Sequence, residues 1–235
     1  MLKEIKIKKI RCNIHYRWPY LELLKTIKTL TNKYELGMPT SFFVYGGSGC
    51  LSTGGIHWMD FSRRLFQEEP IDVIAKLFSS QINPRSPDLL YIDGTCIYTF
   101  GGGKRLSFCL DNNSSVNLEA RILFNHGYIT IDTKSIVRVY KRSSEEIKVA
   151  SKQITRYGIP ELIEENYDLK GKSSIPAVIN EMIGENTISQ VTCTAESGLI
   201  GSAMLVAALE SSKKGESVDL QEISAVESSQ EWLFS

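Results

Sequence analysis

One stretch decides between two fold classes: FFVYGGSGCLSTGGIHWMDFSRRLF, residues 42–66. Strand-forming residues lead into a glycine-rich turn, and an amphipathic helix pattern follows. This order is typical of the loop that binds the pyrophosphate of a dinucleotide at a helix N-terminus. His57 and Asp60, however, fall in the first turns of the helix, an unusual place for them if the loop holds phosphate. The stretch is therefore either a cofactor loop or a substrate loop.

The spacing of the glycines does not fit a cofactor loop. A dinucleotide loop needs glycines at its first, third and sixth positions and an acidic residue at the end of the next strand. Counted from Gly47, the third position is Gly49, but the sixth is Ser52. The next predicted strand, 71–81, ends in Ser-Ser-Gln. We therefore predict a substrate loop, and no cofactor-binding residues in this chain.

The middle third of the sequence predicts a β-sheet. Short connections at 101–103 and 112–114 join consecutive strand-like runs, which indicates hairpins and hence antiparallel pairing. Alternation from Val116 through Leu118 and Ala120 to Ile122 places these residues on one face. The predicted strands are 71–81, 89–100, 105–111, 116–124, 127–132 and 135–141. We expect an α/β (α+β) fold with a large, mostly antiparallel open sheet and helices on one face.

Helices are predicted at 54–66, 173–184 and 195–214, and they can cover only one face of this sheet. The other face alternates Tyr91, Ile97 and Phe108 with polar residues, which makes it too apolar to be left entirely in water. We therefore expect a homo-oligomer that forms through the open sheet face.

Composition narrows the classes of partner. Lysines and arginines number 27, as do aspartates and glutamates, so a nucleic-acid partner is not indicated. The longest apolar runs fall far short of the ~20 residues of a bilayer span, and the N-terminus lacks a signal-peptide pattern, so we expect no membrane association. The five cysteines include no CxxC pair, and the three histidines lie far apart in sequence, so no metal site is predicted. We expect a reduced, cytoplasmic protein.

Three motifs occur in order along the chain: NIHYRWPYLELLKTI (13–27), GGSGCLSTGGIHWMD (46–60) and AESGLIGSAMLVAALESSKKGESVDL (195–220). They resemble three segments of the Gfo/Idh/MocA family (glucose–fructose oxidoreductase and inositol 2-dehydrogenase). These are the interdomain segment, the Gly-Gly-x-x-x-Asp-x-Gly-x-His-x-x-Asp loop and the C-terminal helix. The resemblance covers nearly the whole chain, with β-rich sequence between the motifs.

The resemblance implies an NAD(P)-dependent oxidoreductase with an N-terminal Rossmann domain. Its C-terminal domain would be similar to that of glyceraldehyde-3-phosphate dehydrogenase-like oxidoreductases and would bind a sugar or cyclitol. Residues 1–36 would then be a remnant of the nucleotide-binding domain (its last strand and linking helix), and residues 37–235 the substrate-binding and oligomerisation domain. About 120 residues, the size of a typical domain, are expected to be missing before it.

The expected absence of a nucleotide-binding domain has consequences for the cofactor. Neither a Gly-x-Gly-x-x-Gly loop near the start nor the Glu-Lys-Pro triplet that carries the family's catalytic lysine is present. The complete enzyme would use NAD or NADP, whereas no cofactor is expected to bind this chain alone. A separate chain with a Rossmann domain is a possible partner.

The resemblance also implies roles for four residues. His57 would exchange the proton of the substrate hydroxyl, since an imidazole titrates near neutral pH. Thr53 stands where many relatives have an aspartate, and it can form a hydrogen bond but supplies no charge. Arg17 would contact a substrate carboxylate or phosphate, with a surface ion pair as the alternative. Asp60 is included as substrate-binding, although carboxylates early in helices are most often structural.

Two functions remain open from the sequence. The first is the substrate-binding part of an oxidoreductase that acts on a secondary alcohol of a sugar, nucleotide sugar or cyclitol; His57 favours it. The alternative is a non-catalytic binding or scaffold homologue that lacks the cofactor domain. Thr53 and the absent lysine favour this alternative.

Overall fold

The computed structural model describes residues 7–8, 12–16, 22–47, 49–80, 86, 88–89, 91–132, 136–150, 152, 160–166 and 193–222. Its helices are α1 (Leu23–Lys33), α2 (Ile56–Phe66), α3 (Ser144–Ala150) and α4 (Ala195–Lys214). A π-helical turn (Leu51–Gly55) leads into α2, and 3₁₀ turns lie at Gly101–Gly103 and Leu220–Glu222. The strands are β1 (Asn13–Ile14), β2 (Pro39–Gly46), β3 (Asp72–Ser80), β4 (Tyr91–Thr99), β5 (Arg105–Leu110), β6 (Glu119–Phe124), β7 (Gly127–Ile131), β8 (Val137–Lys141), β9 (Glu161–Asn166), β10 (Cys193–Thr194) and β11 (Val218–Asp219).

Most of the described strands form a single nine-stranded sheet in the order β11-β3-β4-β5-β2-β6-β7-β8-β9. Within it β2 runs parallel to β5, and the other neighbouring pairs are antiparallel. β1 and β10 pair separately. The predicted large, mostly antiparallel sheet is confirmed. The predicted helix 173–184 lies outside the described residues.

The prediction of a hairpin across 112–114 is wrong. β2 lies between β5 and β6, parallel to the first and antiparallel to the second. The connection from β5 to β6 therefore crosses over the end of β2, at Gly46 and Gly47. The Gly47 N–H donates to the carbonyl of Val116 at 2.7 Å, and a side chain at Gly47 would overlap the carbonyl oxygen of Ser114. Gly46 has φ +133°, and a side chain there would overlap the carbonyl oxygen of Asn117.

The core lies between one face of the sheet and the helices. α4 packs against β3, α2 packs against β2 and α4, and α1 packs against α2. At the centre Tyr98 is fully buried, and its hydroxyl donates to the carbonyl oxygen of Met204 at 3.0 Å. Burial raises the pKa of Tyr98 well above its ordinary value. Tyr98 therefore stays neutral and links the interior strand β4 to α4.

Two of the predicted face assignments are wrong. Phe108 is fully buried on the helix-covered face, because Leu106, Phe108 and Leu110 point inwards while Ser107 and Cys109 alternate with them. Val116 precedes β6 and is exposed, whereas Ala120 and Ile122 share one face of β6, as predicted, and are buried there. The open face does carry Tyr91 and Ile97, both partly exposed, as expected. The error at Phe108 is one of phase, since a shift of one residue moves a strand's side chains to the opposite face.

α1 shares the core of the large sheet. Leu23, Ile27 and Leu30 are buried in the same cluster as the residues of the sheet. At the C-terminal end of α1, Lys33 Nζ lies 2.8 Å from Glu164 on β9, and the Tyr34 hydroxyl donates to the same carboxylate. The division of the chain after residue 36 stays a prediction, and the core extends across it. None of the described helices is both long and apolar enough to cross a membrane.

We expect Ser211→Ala to destabilise the fold by about 1–3 kcal/mol, because it leaves a buried backbone N–H without an acceptor. The fully buried Ser211 hydroxyl accepts from the Ala75 N–H at 2.9 Å and donates to the Glu216 carbonyl at 2.6 Å, so it joins α4 to β3. Chemical denaturation measures the loss. The control is Ser202→Ala on the exposed side of α4, for which a change within about 0.5 kcal/mol is expected. Equal losses in the two variants would contradict this role of Ser211.

Candidate functional site

The candidate site lies where β2 leads into α2. Because β2 and β5 are parallel, with Gly46 opposite Leu110, their carboxyl ends meet at the same edge of the sheet. After this edge the chain makes the π-helical turn, in which the Gly54 and Gly55 N–H groups both donate to the Cys50 carbonyl at 2.8 and 3.0 Å. Single π turns of this kind are frequent at functional sites.

The turn and the start of α2 bring Thr53 and His57 together. Thr53 lies inside the π-helical turn and His57 is the second residue of α2, so the two side chains are one turn apart. Both are partly buried. A substrate hydroxyl placed at this end of α2 would meet an imidazole and a hydroxyl group, but no charged partner from Thr53.

An aromatic residue that sequence reasoning missed lies against His57. The Tyr16 ring contacts the imidazole edge to face, with 5.6 Å between ring centroids and 85° between ring planes. Tyr16 is 4% exposed and follows the short strand β1. The one signal in the sequence is its position beside Arg17 in the motif NIHYRWP. Arg17 itself lies outside the described residues, so its predicted contact with substrate stays a prediction.

The Asp60 carboxylate is fully buried and has partners inside the protein. One oxygen lies 2.8 Å from Arg64 Nε, and the other lies 3.4 Å from Arg63 Nη1 and accepts from the Ser197 hydroxyl at 2.7 Å. Ser197 belongs to the first turn of α4. These contacts favour a role for Asp60 in holding α2 against α4 over a direct contact with substrate.

Two further polar residues that sequence reasoning missed lie at the same edge of the sheet. Asp93 on β4 is 8% exposed, and its carboxylate accepts from the Asn112 N–H at 3.0 Å. In the sequence, Asp93 could have been noticed as the one charged residue in the predicted strand YIDGTCIYTF. The bond joins β4 to the connection that crosses over β2, so these residues shape the edge next to the candidate site.

The glycine-rich turn does not form a cradle for a nucleotide. The space beside Gly46 and Gly47 is taken by the backbone of residues 114–117, so these glycines serve a contact within the protein. The residues present at this turn therefore do not fit the pyrophosphate of NAD or NADP. Among the described residues, no group of three or more His, Cys, Asp and Glu side chains could hold a metal ion.

A cavity of about 430 Å³ opens at the other end of α2. It lies between the C-terminal half of α2 and the first turn of α4. Its lining residues are Arg63, Arg64, Gln67, Glu68, Glu69 and Ser197. Arg64 is seven residues after His57, roughly 10 Å along the helix axis. The cavity is therefore separate from the histidine.

No family model and no curated protein matches the sequence. Solved structures do match in fold. An aldose-aldose oxidoreductase from Caulobacter crescentus, complexed with glycerol, matches with a TM-score of 0.65 and 17% identity over 93% of this chain and 66% of that chain. An oxidoreductase from Agrobacterium radiobacter in complex with NAD+, L-tartaric acid and magnesium matches with a TM-score of 0.62 and 14% identity. The match covers 94% of this chain and 68% of that chain.

The chain has the C-terminal fold of Gfo/Idh/MocA-type oxidoreductases. The same fold occurs in a super-repressor mutant of Gal80p from Saccharomyces cerevisiae, with a TM-score of 0.64 and 12% identity over 93% of this chain and 67% of that chain. The chain spans about two thirds of the length of these structures. At such identities the comparison establishes the Gfo/Idh/MocA-type fold and leaves activity and substrate to be argued from the site.

Asp60→Asn is expected to lower the free energy of unfolding by roughly 3 kcal/mol, because it removes the buried carboxylate from its ion pairs with Arg63 and Arg64. The matched control is Glu69→Gln, which removes the other carboxylate paired with Arg63. The Glu69 side chain is 59% exposed, so a loss of at most ~1 kcal/mol is expected. Denaturant titration of both variants measures the difference. Full stability of Asp60→Asn would favour its predicted contact with substrate instead.

Proposed function

We propose that this chain is the substrate-binding part of an NAD(P)-dependent oxidoreductase that acts on a secondary alcohol of a sugar, nucleotide sugar or cyclitol. The observation that carries the proposal is the position of His57. In a fold shared with several oxidoreductases, this histidine lies partly exposed at the start of α2, directly after a π-helical turn. An imidazole at this position can exchange a proton with a substrate hydroxyl near neutral pH.

The chemistry divides between this chain and a nucleotide-binding domain. Oxidation of a secondary alcohol removes a proton from its oxygen and a hydride from its carbon. His57 takes the proton as general base and returns it as general acid in the reverse direction. Thr53 orients the hydroxyl by a neutral hydrogen bond. In the complete enzyme NAD or NADP supplies the hydride acceptor, held by a Rossmann domain of the same or of a separate chain.

Two charged residues contribute to the proposed function in different ways. Arg17 pairs with a substrate carboxylate or phosphate through two parallel hydrogen bonds. Asp60 acts through its hold on the start of α4, where Ser197 donates to it, rather than by touching the substrate. The residues proposed to contact the substrate are thus Arg17, Thr53 and His57.

A second candidate function is a non-catalytic binding or scaffold protein. Thr53 supports it, because a hydroxyl cannot stabilise an imidazolium as a carboxylate does. The similarity to a super-repressor mutant of Gal80p supports it too, since that protein shares the fold and is described as a repressor. The two functions differ in what they require of His57: only the oxidoreductase needs its proton transfer.

In the enzyme completed with a Rossmann domain, His57→Ala should lower kcat by ~10²–10⁴, the range for loss of general acid–base catalysis. Thr53→Ala should cost less, since it removes a neutral hydrogen bond. His126→Ala serves as the control, because His126 lies in the turn between β6 and β7, at the opposite edge of the sheet from Gly46. Steady-state reduction of the nicotinamide measures all three. Unchanged turnover in His57→Ala would favour the scaffold function.

The chain should form a homo-oligomer through its open sheet face. Ile74 and Phe78 on β3 are 51% and 58% exposed on this face, next to Ile97 on β4. Ile74→Glu should shift the equilibrium towards monomer, because it places a charge where the proposed contact buries apolar surface. Val149→Glu is the control, since Val149 is equally exposed but lies on α3. Sedimentation equilibrium at micromolar concentration decides, and a monomeric wild-type chain would contradict the proposal.

A further inference from the structure

We propose that Tyr16 is a positioning residue that holds the imidazole of His57 in the orientation needed for proton transfer. The proposal rests on the proposed role of His57 as general base. It adds a residue from outside the glycine-rich loop and the helix that carries the histidine. The contact also connects the segment 1–36, which we predict to be a remnant of the nucleotide-binding domain, with the substrate site.

The position of Tyr16 is set by the backbone of α4. Ile14 and Tyr16 are two residues apart, so in an extended segment their side chains leave the same face. Gly198 and Gly201 lie one helical turn apart on α4. A methyl group at Gly198 would lie 2.6 Å from Ile14 Cγ1, and one at Gly201 would lie 2.8 Å from the Tyr16 hydroxyl oxygen. The two glycines therefore leave room for these two side chains to lie directly on the helix.

This packing confines Tyr16 between α4 and the start of α2. Its side chain is 4% exposed, and its ring meets the His57 imidazole at 5.6 Å with nearly perpendicular planes. Edge-to-face contacts of this kind are the favoured geometry for aromatic pairs. Tyr16 therefore contacts α4 at Gly201 through its hydroxyl group and α2 at His57 through its ring.

His57 needs such a support because its own ring torsion is broad. The terminal torsion of a histidine has no narrow staggered minima, so contacts with neighbouring groups decide the orientation of the imidazole. A general base works only within hydrogen-bond reach of the proton that it takes. Catalytic groups must in general be held to within ~0.5 Å and 10–20°. The Tyr16 ring removes the imidazole orientations that would overlap it, and so raises the fraction of chains with His57 ready to react.

The test uses the full chain with isotopically labelled histidine and compares Tyr16→Leu with Tyr16→Phe. NMR three-bond couplings and ring-to-ring nuclear Overhauser effects report the rotamers of His57, and His126 serves as an internal reference. In Tyr16→Leu we expect the main rotamer to lose population about two- to tenfold relative to the others, the effect of losing one aromatic pair contact. Tyr16→Phe should keep the wild-type distribution, because the ring makes the contact.

Two further variants separate positioning from simple destabilisation. Ile14→Ala removes packing from the same groove of α4 without touching the imidazole, so it should leave the His57 rotamers unchanged. Gly201→Ala pushes on the Tyr16 hydroxyl, so it should shift the His57 signals even if Tyr16→Leu does not fold. Unaltered His57 rotamers in Tyr16→Leu, or in Gly201→Ala where Tyr16→Leu does not fold, would overturn the proposal. So would equal changes in Ile14→Ala.

The outcome is distinguishable from failure of the proposed function. The rotamers are measured on the chain without cofactor or substrate, whereas the role of His57 is tested by turnover of the completed enzyme. In that enzyme Tyr16→Leu should lower kcat with little change in KM, and Tyr16→Phe should restore it. If His57→Ala left turnover unchanged while Tyr16→Leu altered the rotamers, the contact would stand and the catalytic assignment would fall.

Discussion

The close approach of two backbone segments at Gly46 and Gly47 is the constraint on which the rest of the structure depends. The connection from β5 to β6 crosses there over the end of β2, in space that any side chain would fill. Because the crossing is possible, β2 becomes a central strand, parallel to β5 and antiparallel to β6. The same crossing ends β2 at the edge where the π-helical turn and α2 begin. The position of His57 therefore follows from a contact made by glycines that resemble a phosphate loop.

In the motif 46–60, Asp60 holds α2 in place and His57 is partly exposed. Asp60 is fully buried and fixes α2 to the first turn of α4 through Arg63, Arg64 and Ser197. His57, one turn earlier, stays partly exposed. A functional group needs a well-held support, so these contacts are compatible with the proton-transfer role proposed for His57. α4 supports both residues, since it also carries the glycines against which Tyr16 packs.

The fold alone does not decide between enzyme and scaffold, because solved proteins with this fold include oxidoreductases and a repressor mutant. The decision lies in a few side chains at the start of α2. The imidazole of His57 can transfer a proton, which favours an enzyme. Thr53 supplies no charge beside it, which favours a scaffold. An active enzyme of this kind would rely on the substrate, the nucleotide or a second domain for the remaining charge.

Local patterns in the sequence determined the antiparallel pairing of β3, β4 and β5, the end of α2 and both bounds of α4, because short connections and helical periodicity are properties of neighbouring residues. Three features were decided only by the tertiary structure. β2 separates β5 from β6, which is a pairing between distant segments. Phe108 faces the helices, since the phase of a short strand is set by what covers it. Tyr16 meets His57 because α4, almost 200 residues later in the chain, has two glycines where the tyrosine's segment packs. Local sequence patterns do not predict such contacts, since the contacts form only when distant elements pack into one core.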